Sequence, residues 1–487
     1  MKLIDLVREL DYVLLSGSLE VELTSLEYDS RKVGPGSLFV CLTGFRADGH
    51  DYVPLALEQG AAALVVERRV DAPEGVTVLQ VADSRKALAL LAAAWFGYPA
   101  RQMTVVGVTG TKGKTTTTHM LKSILEAAGR KVGMIGTLGA FIGPEKVPTR
   151  NTTPESYELH ALFRRMADEG CDWVVMEASS QGFKLHRTAG VEFDYGVFLN
   201  LSPDHIGAGE HADFDEYLQC KAMLFRQCAV GVVNRDDPHC QAVTAGASCP
   251  LRTFSRTGPA DLTLRDWEEV RRPGFLGCRF RTEGLVDGEF EVSLPGAFNG
   301  ENALAALAVA ALAGIPREAM ARGLARVSVK GRTQVLDTPG HYTVLIDYAH
   351  NAASMENLLS MLRAYHPGRL ICLFGGGGDR SRLRRYDMGE ISARYADLTV
   401  LTMDNPRSES VEAINEDIKA GLAKHGGRSV SILDRAEAIR WVLDQAREGD
   451  IIALIGKGHE EYQEIQGVKH PFSEEQVVRD WVSRTQA

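Results

Sequence analysis

The sequence predicts an α/β protein of three domains, and three observations carry that prediction. Apolar strand candidates alternate with helical stretches, the pattern of parallel sheets with crossover helices. A chain of 487 residues is too long for one hydrophobic core. A glycine-rich turn, Gly110-Thr111-Lys112-Gly113-Lys114-Thr115-Thr116, joins an apolar strand candidate, Met103 to Val108, to a helical run.

Residues 1–98 read as a small α/β unit. Ser37 to Leu42 and Ala61 to Glu67 have strand character, Tyr52 to Gln59 a short helix between them, and Ser84 to Phe96 an alanine-rich helix broken by Gly97-Tyr98-Pro99. Residues 99–331 form the second domain. Its strands at Trp173 to Met176 and Gly196 to Leu199 each run into a polar loop, where open α/β sheets place their ligands. Asp261 to Leu294 alternates in short charged strands, an antiparallel insertion or sheet edge, and Asn302 to Ala313 is a helix. Residues 332–487 form the third domain, doubly wound and Rossmann-like. Its strands are Val344 to Ile346, Leu370 to Phe374, Leu398 to Thr402, Ser429 to Leu433 and Ile451 to Ile455. No G-x-G-x-x-G fingerprint is present, and Gly375 to Gly378 is a poor substitute.

Composition narrows the function classes. Hydrophobic content of 45% and charged content of 24% are those of an ordinary globular protein. A net charge of −10 argues against nucleic acid as the main partner. No apolar run approaches the roughly 18 residues of a membrane span, and MKLIDLVREL lacks the apolar core of a signal peptide. Eight scattered cysteines without a C-x-x-C pair fit reduced thiols in a cytoplasm. A cytoplasmic monomer acting on small molecules is expected.

The turn at Gly110 to Thr116 points backbone N–H groups at a phosphate, Lys114 reaches the terminal phosphates, and the Thr115 hydroxyl suits Mg²⁺. The match to the usual phosphate loop is incomplete, because Val108 stands where that pattern has its first glycine. ATP and Mg²⁺ are the expected cofactors. Glu177, at the end of the strand WVVM, supplies the carboxylate magnesium prefers. His205 ends another strand and is a weaker candidate, and Lys221 among apolar neighbours says little by itself.

The ordered motifs GVTGTKGKTTT, NTTPE, MEASSQG, NLSPDH, YLQCKAMLF, FNGENALAALA, KGRTQ, DYAHN, DNPR and GKGHEEYQ cover nearly the whole chain and resemble the Mur ligases. The likeness is greatest to the branch that adds the third peptide residue in peptidoglycan synthesis. It implies a uridine-nucleotide domain, a central ATPase domain and a C-terminal amino-acid domain. It also implies an acyl-phosphate route to an amide bond. By this resemblance Lys114, Lys221, His205 and Glu177 are catalytic. Thr115, Glu177, His205 and Lys221 (as a carbamate) hold metal. Asn302, Arg332, Asp347 and Tyr348 join the loop residues in binding ATP. Ser30, Phe45, Arg46 and Ala47 hold the UDP end. Asn151, Thr152, Thr153, Ser179 and Arg187 hold the muramoyl-peptide portion.

The amino acid is assigned to Arg385, Asp404, Asn405, Pro406, Arg407, Gly456 and Glu460. The D-N-P-R run resembles members that take meso-diaminopimelate, whose second carboxylate suits an arginine fork. The expected substrates are therefore UDP-N-acetylmuramoyl-L-alanyl-D-glutamate and meso-diaminopimelate. The alternatives are a lysine-adding or divergent paralogue, or a non-ligating nucleotide-binding subunit. Three departures bear on this: Gly207 replaces a second aspartate after His205, Leu185 precedes His186, and Arg380 to Arg385 is unusually basic.

Overall fold

The structure, a computed structural model, describes residues 1–44, 47–207 and 209–486. The chain divides into two compact units. The first comprises residues 1–263 and 304–320, the second residues 264–303 and 321–487.

Within the first unit, a five-stranded sheet runs in the spatial order Val13–Ser16, Thr77–Gln80, Ala63–Val66, Ser37–Val40, Ser25–Glu27. All pairs are parallel except the first. Leu38, Val40, Ala63 and Val65 pack on one face, Phe39, Cys41, Leu64 and Val66 on the other. That alternation is what a sheet covered on both faces demands. The same unit holds a larger sheet centred on Thr104–Thr109. Trp173–Glu177 and Phe193–Phe198 flank it in parallel, with Val132–Gly136 beyond the former and Cys228–Asn234 beyond the latter. Gly139–Ile142 and Glu145–Val147 extend it as antiparallel strands. A buried central strand between two parallel neighbours places its carboxyl end at the ligand-binding edge. The helix Lys114–Ala127 leaves from that end.

The second unit is built on a six-stranded sheet. Its order is Gln334–Leu336, Thr343–Asp347, Ile451–Ile455, Leu370–Phe374, Leu398–Leu401, Ser429–Ser431, parallel except at the first pair. Leu345, Cys372, Phe374 and Ala453 face one core, Val344, Ile371, Leu373 and Ile452 the other. The predicted strands and the α/β doubly wound class are what the structure has. The charged stretch after Asp261 forms long strands, with Phe275–Gly284 antiparallel to Gly288–Val292.

Candidate active site

In the first unit, the turn after Thr104–Thr109 is fastened to the next strand's loop. Thr111 N–H donates to Asn200 O at 3.0 Å, and Lys112 N–H to Asn200 Oδ1 at 2.9 Å. The Thr111 hydroxyl accepts from Ser202 N–H at 3.0 Å and meets the Tyr217 hydroxyl at 3.1 Å. Lys114 curls back over the turn, its Nζ donating to Gly110 O at 2.8 Å and Thr111 O at 3.1 Å. Burial pushes its amine below the ordinary lysine value.

Lys221, on the helix Phe214–Ala222, is only 1% exposed and donates to the same Gly110 carbonyl at 3.0 Å. Its Nζ lies 4.5 Å from the centre of the Tyr217 ring. Burial, then the neighbouring Lys114, hold its amine well below the usual lysine range. Sequence position alone cannot place Lys221 here, 111 residues from Gly110; the sheet brings the two together.

Glu177 is buried at the end of its strand. Oε1 accepts from the Thr115 hydroxyl at 2.9 Å and from Thr137 N–H at 2.9 Å, and Oε2 from the Thr137 hydroxyl at 3.2 Å. A Cβ at Gly136 would stand 2.3 Å from Oε1, so the strand must carry glycine there for the carboxylate to sit as it does. Thr137, which the motifs did not mark, also contacts Thr152 at 3.0 Å between hydroxyls. Thr153 and Ser179 share a hydrogen bond at 3.0 Å, and Ser179 caps the helix Ser180–Lys184. Arg187 binds Glu155 and Thr153 O. Asn151 is exposed.

His205 has a left-handed backbone, φ 55°, and Nδ1 lies 3.0 Å from Glu210 Oε1. The chain thus returns a carboxylate to His205 five residues on, although Gly207 has none. In the same unit Ser30 is buried in the short helix Ser30–Lys32 and Ala47 is exposed. Phe45 and Arg46 lie outside the described residues.

In the second unit, Asp404, Asn405, Arg407, Arg385, Gly456, Glu460 and Tyr348 line one cavity of about 320 Å³, with Arg380 and Arg384 beside them. Gly375 to Gly378, a poor dinucleotide fingerprint, has a packing role in the cavity wall. A Cβ at Gly378 would sit 1.8 Å from Pro406 O, and one at Gly375 2.1 Å from Thr402 O. Only bare backbone lets the loop after Leu398–Leu401 close this wall.

Arg385 is 2% exposed, and its terminal nitrogens bind Glu409, Asp417 and Gly377 O. It is engaged by the protein's own carboxylates. Arg407, φ 50°, donates from Nε to Glu464 Oε2 at 3.2 Å and from Nη1 to Gly378 O at 2.6 Å. Asp404 Oδ1 has no hydrogen-bond partner among the described residues, and burial pushes its carboxyl upward. Asn405 Nδ2 donates to Glu460 Oε2 at 2.9 Å. Elsewhere in this unit, Asp347 accepts from Thr333 and Ala349 N–H, and burial raises it. The Arg332 guanidinium lies 5.2 Å from the Tyr348 ring centre, and Asn302 donates to Asn299 Oδ1 at 3.1 Å.

Sequence comparison finds three family profiles in chain order. The Mur ligase family catalytic domain matches residues 22–96, the Mur ligase middle domain 108–310, and the Mur ligase glutamate ligase domain 331–458. A protein of Caldanaerobacter subterraneus subsp. tengcongensis, named UDP-N-acetylmuramoyl-L-alanyl-D-glutamate–2,6-diaminopimelate ligase, is 39% identical over 100% of both chains. A Geobacillus thermodenitrificans protein of the same name is 40% identical over 94% of each. Among solved structures, one with that name superposes with a TM-score of 0.79 at 29% identity, over 100% of this chain and 99% of the other. A MurF ligase from Thermotoga maritima shares the fold, with a TM-score of 0.58 at 21% identity over 96% and 99%.

Proposed function

The chain belongs to the Mur ligase family, and on that premise we propose that it joins meso-diaminopimelate to UDP-N-acetylmuramoyl-L-alanyl-D-glutamate at the expense of ATP. The observation that carries the choice of amino acid is the cavity in the second unit. It brings the partly buried carboxylates of Asp404 and Glu460 together with the arginines Arg380, Arg384 and Arg407, the last of them also paired with Glu464. A diamino acid with a second carboxylate presents both complementary charges.

The chemistry follows from what each group can do. A carboxylate is a poor electrophile until its oxygen is phosphorylated. The D-glutamate oxygen attacks the terminal phosphorus of ATP, the bond to the bridging oxygen breaks, and ADP leaves. The amine of the diamino acid then attacks the acyl carbon and loses a proton, and inorganic phosphate departs with the acyl oxygen. Phosphoryl transfer needs mainly positioning and charge neutralisation. The N–H groups of Gly110 to Thr116 and the Lys114 amine serve that end.

Thr115 Oγ1 and Glu177 Oε1, 2.9 Å apart at the start of the helix, are oxygen donors that fit a hard cation. Mg²⁺ bound there would neutralise phosphate charge. The family resemblance gives Glu177 and His205 a second Mg²⁺, which His205 would meet through Nε2, since Nδ1 faces Glu210. Lys221, held toward its neutral form, has the free electron pair that adds to CO₂, and we propose that it works as a carbamate. No helix among the described residues is long and apolar enough to cross a membrane, and the reading places the reaction in the cytoplasm.

The test is a heavy-oxygen label in the D-glutamate carboxylate of the nucleotide dipeptide. Acyl phosphate formation moves one labelled oxygen into released phosphate. Phosphate free of label, with amide still formed, would refute the route.

A further inference from the structure

Lys457 follows Gly456 at the end of the strand Ile451–Ile455, and its side chain has no exposed surface. A lysine so enclosed is retained only where its charge is matched. Nζ donates to Asn405 Oδ1 at 2.8 Å and to Glu460 Oε2 at 2.9 Å. Asp404 Oδ1, with no hydrogen bond of its own among the described residues, stands 3.6 Å away. Asn405 Nδ2 donates to the same Glu460 oxygen, so ammonium and amide fix one side of that carboxylate. Its other oxygen, Oε1, lies 3.5 Å from the Tyr348 hydroxyl, in the lining of the cavity.

The charges around this hub can be counted. Arg435 is matched by Glu474, and Arg407 by Glu464. The Tyr462 ring, whose centre is 5.1 Å from Nζ, carries no charge. At the cavity floor Asp404 and Glu460 share the ammonium of Lys457, while Arg380, Arg384 and His350 stand elsewhere in the lining. An entering ammonium is met by those two carboxylates.

We infer that Lys457 is the positioning residue of the amino-acid cavity: one buried ammonium holds Asn405 and Glu460 in place and presents the Asp404 and Glu460 carboxylates to the amine-bearing substrate. This rests on the reading above that the cavity takes the amino acid. Without Lys457 the Asp404 and Glu460 carboxylates lose the ammonium they share, which favours the protonated form of one of them. The substrate's ammonium then meets a floor with one carboxyl protonated.

The experiment compares Lys457→Met and Lys457→Arg with the wild-type chain by phosphate release, varying each substrate in turn. Lys457→Met is expected to raise KM for meso-diaminopimelate by about tenfold to a hundredfold, the effect of losing hydrogen bonds to a charged group. KM for ATP stays unchanged, and the acid limb of 1/KM for the amino acid moves to higher pH. Lys457→Arg, which keeps the charge, recovers most of the affinity. If melting shows Lys457→Met unfolded, Lys457→Gln takes its place with the same expectation. A neutral variant with wild-type KM for the amino acid, or one losing kcat alone with an unmoved pH profile, overturns the inference. A wild-type chain that uses no diamino acid at all refutes the functional reading instead, and the inference falls with it.

Discussion

Replacing Arg435 by methionine should unfasten the wall behind the amino-acid cavity. The Arg435 side chain has no exposed surface and Glu474 only 2%. Nε and Nη2 donate to Glu474 Oε1 at 2.9 and 2.8 Å, Nη1 to Met403 O at 3.0 Å and Nη2 to Ile455 O at 2.8 Å. Met403 and Ile455 directly precede Asp404 and Gly456, so one guanidinium ties together the two backbone segments that carry the cavity floor. Methionine fills much of the volume but leaves Glu474 buried without a cation, which costs about 3–5 kcal/mol. For a unit of this size the melting point falls by about 6–20 °C. Hydrogen exchange should rise in peptides covering 398–404 and 451–457. Adding Glu474→Leu removes the stranded charge and should recover part of the loss, the two carbonyls left unsatisfied keeping about 1–3 kcal/mol each. A single variant within about 1 kcal/mol of wild type, or a double variant no more stable than the single, would refute this reasoning.

Three further outcomes are expected. The Arg385 hydrogen bond, set against some burial, holds the Glu409 carboxyl down to about 2 from 4.5. A carboxylate depressed by folding adds stability that is complete above its unfolded value and is lost as pH falls through its folded value. Melting points should therefore decline between pH 4.5 and 2, less steeply in Arg385→Met; parallel curves would contradict this. Lys221→Ala should abolish ligation and regain part of it with short carboxylates, whereas normal turnover would exclude the carbamate. Gly378→Ala forces a Cβ to within 1.8 Å of Pro406 O, and should raise KM for the amino acid about tenfold while sparing that for ATP. An unmoved KM would show that the loop does not need the glycine.

Much of this was legible in the chain because periodicity and loop chemistry are local. The strands from Val344 to Ile455 alternate their side chains between two cores, so each reads as an apolar run. The Gly110 to Thr116 turn declares itself by composition. What escaped depends on distant segments meeting. Lys457 looks like any surface lysine beside two glycines, and only the fold shows that Asn405 and Glu460 enclose it. Arg385 reads as a free fork until Glu409 and Asp417 arrive from 24 and 32 residues away. Gly375 to Gly378 carry no signal of the Thr402 and Pro406 carbonyls that press on them. Gly207 reads as a lost aspartate, but a φ of 55° at His205 and the loop after it bring Glu210 back to the imidazole.

Competition between amino acids tests the central claim most directly. The wild-type chain is given ATP, Mg²⁺, UDP-N-acetylmuramoyl-L-alanyl-D-glutamate and equal amounts of meso-diaminopimelate and L-lysine, and the nucleotide product is weighed by mass spectrometry. A product carrying diaminopimelate alone is the expected result. A product carrying lysine would contradict the assignment of Arg407 and its neighbours to a second carboxylate, and the absence of any product would contradict the ligase itself.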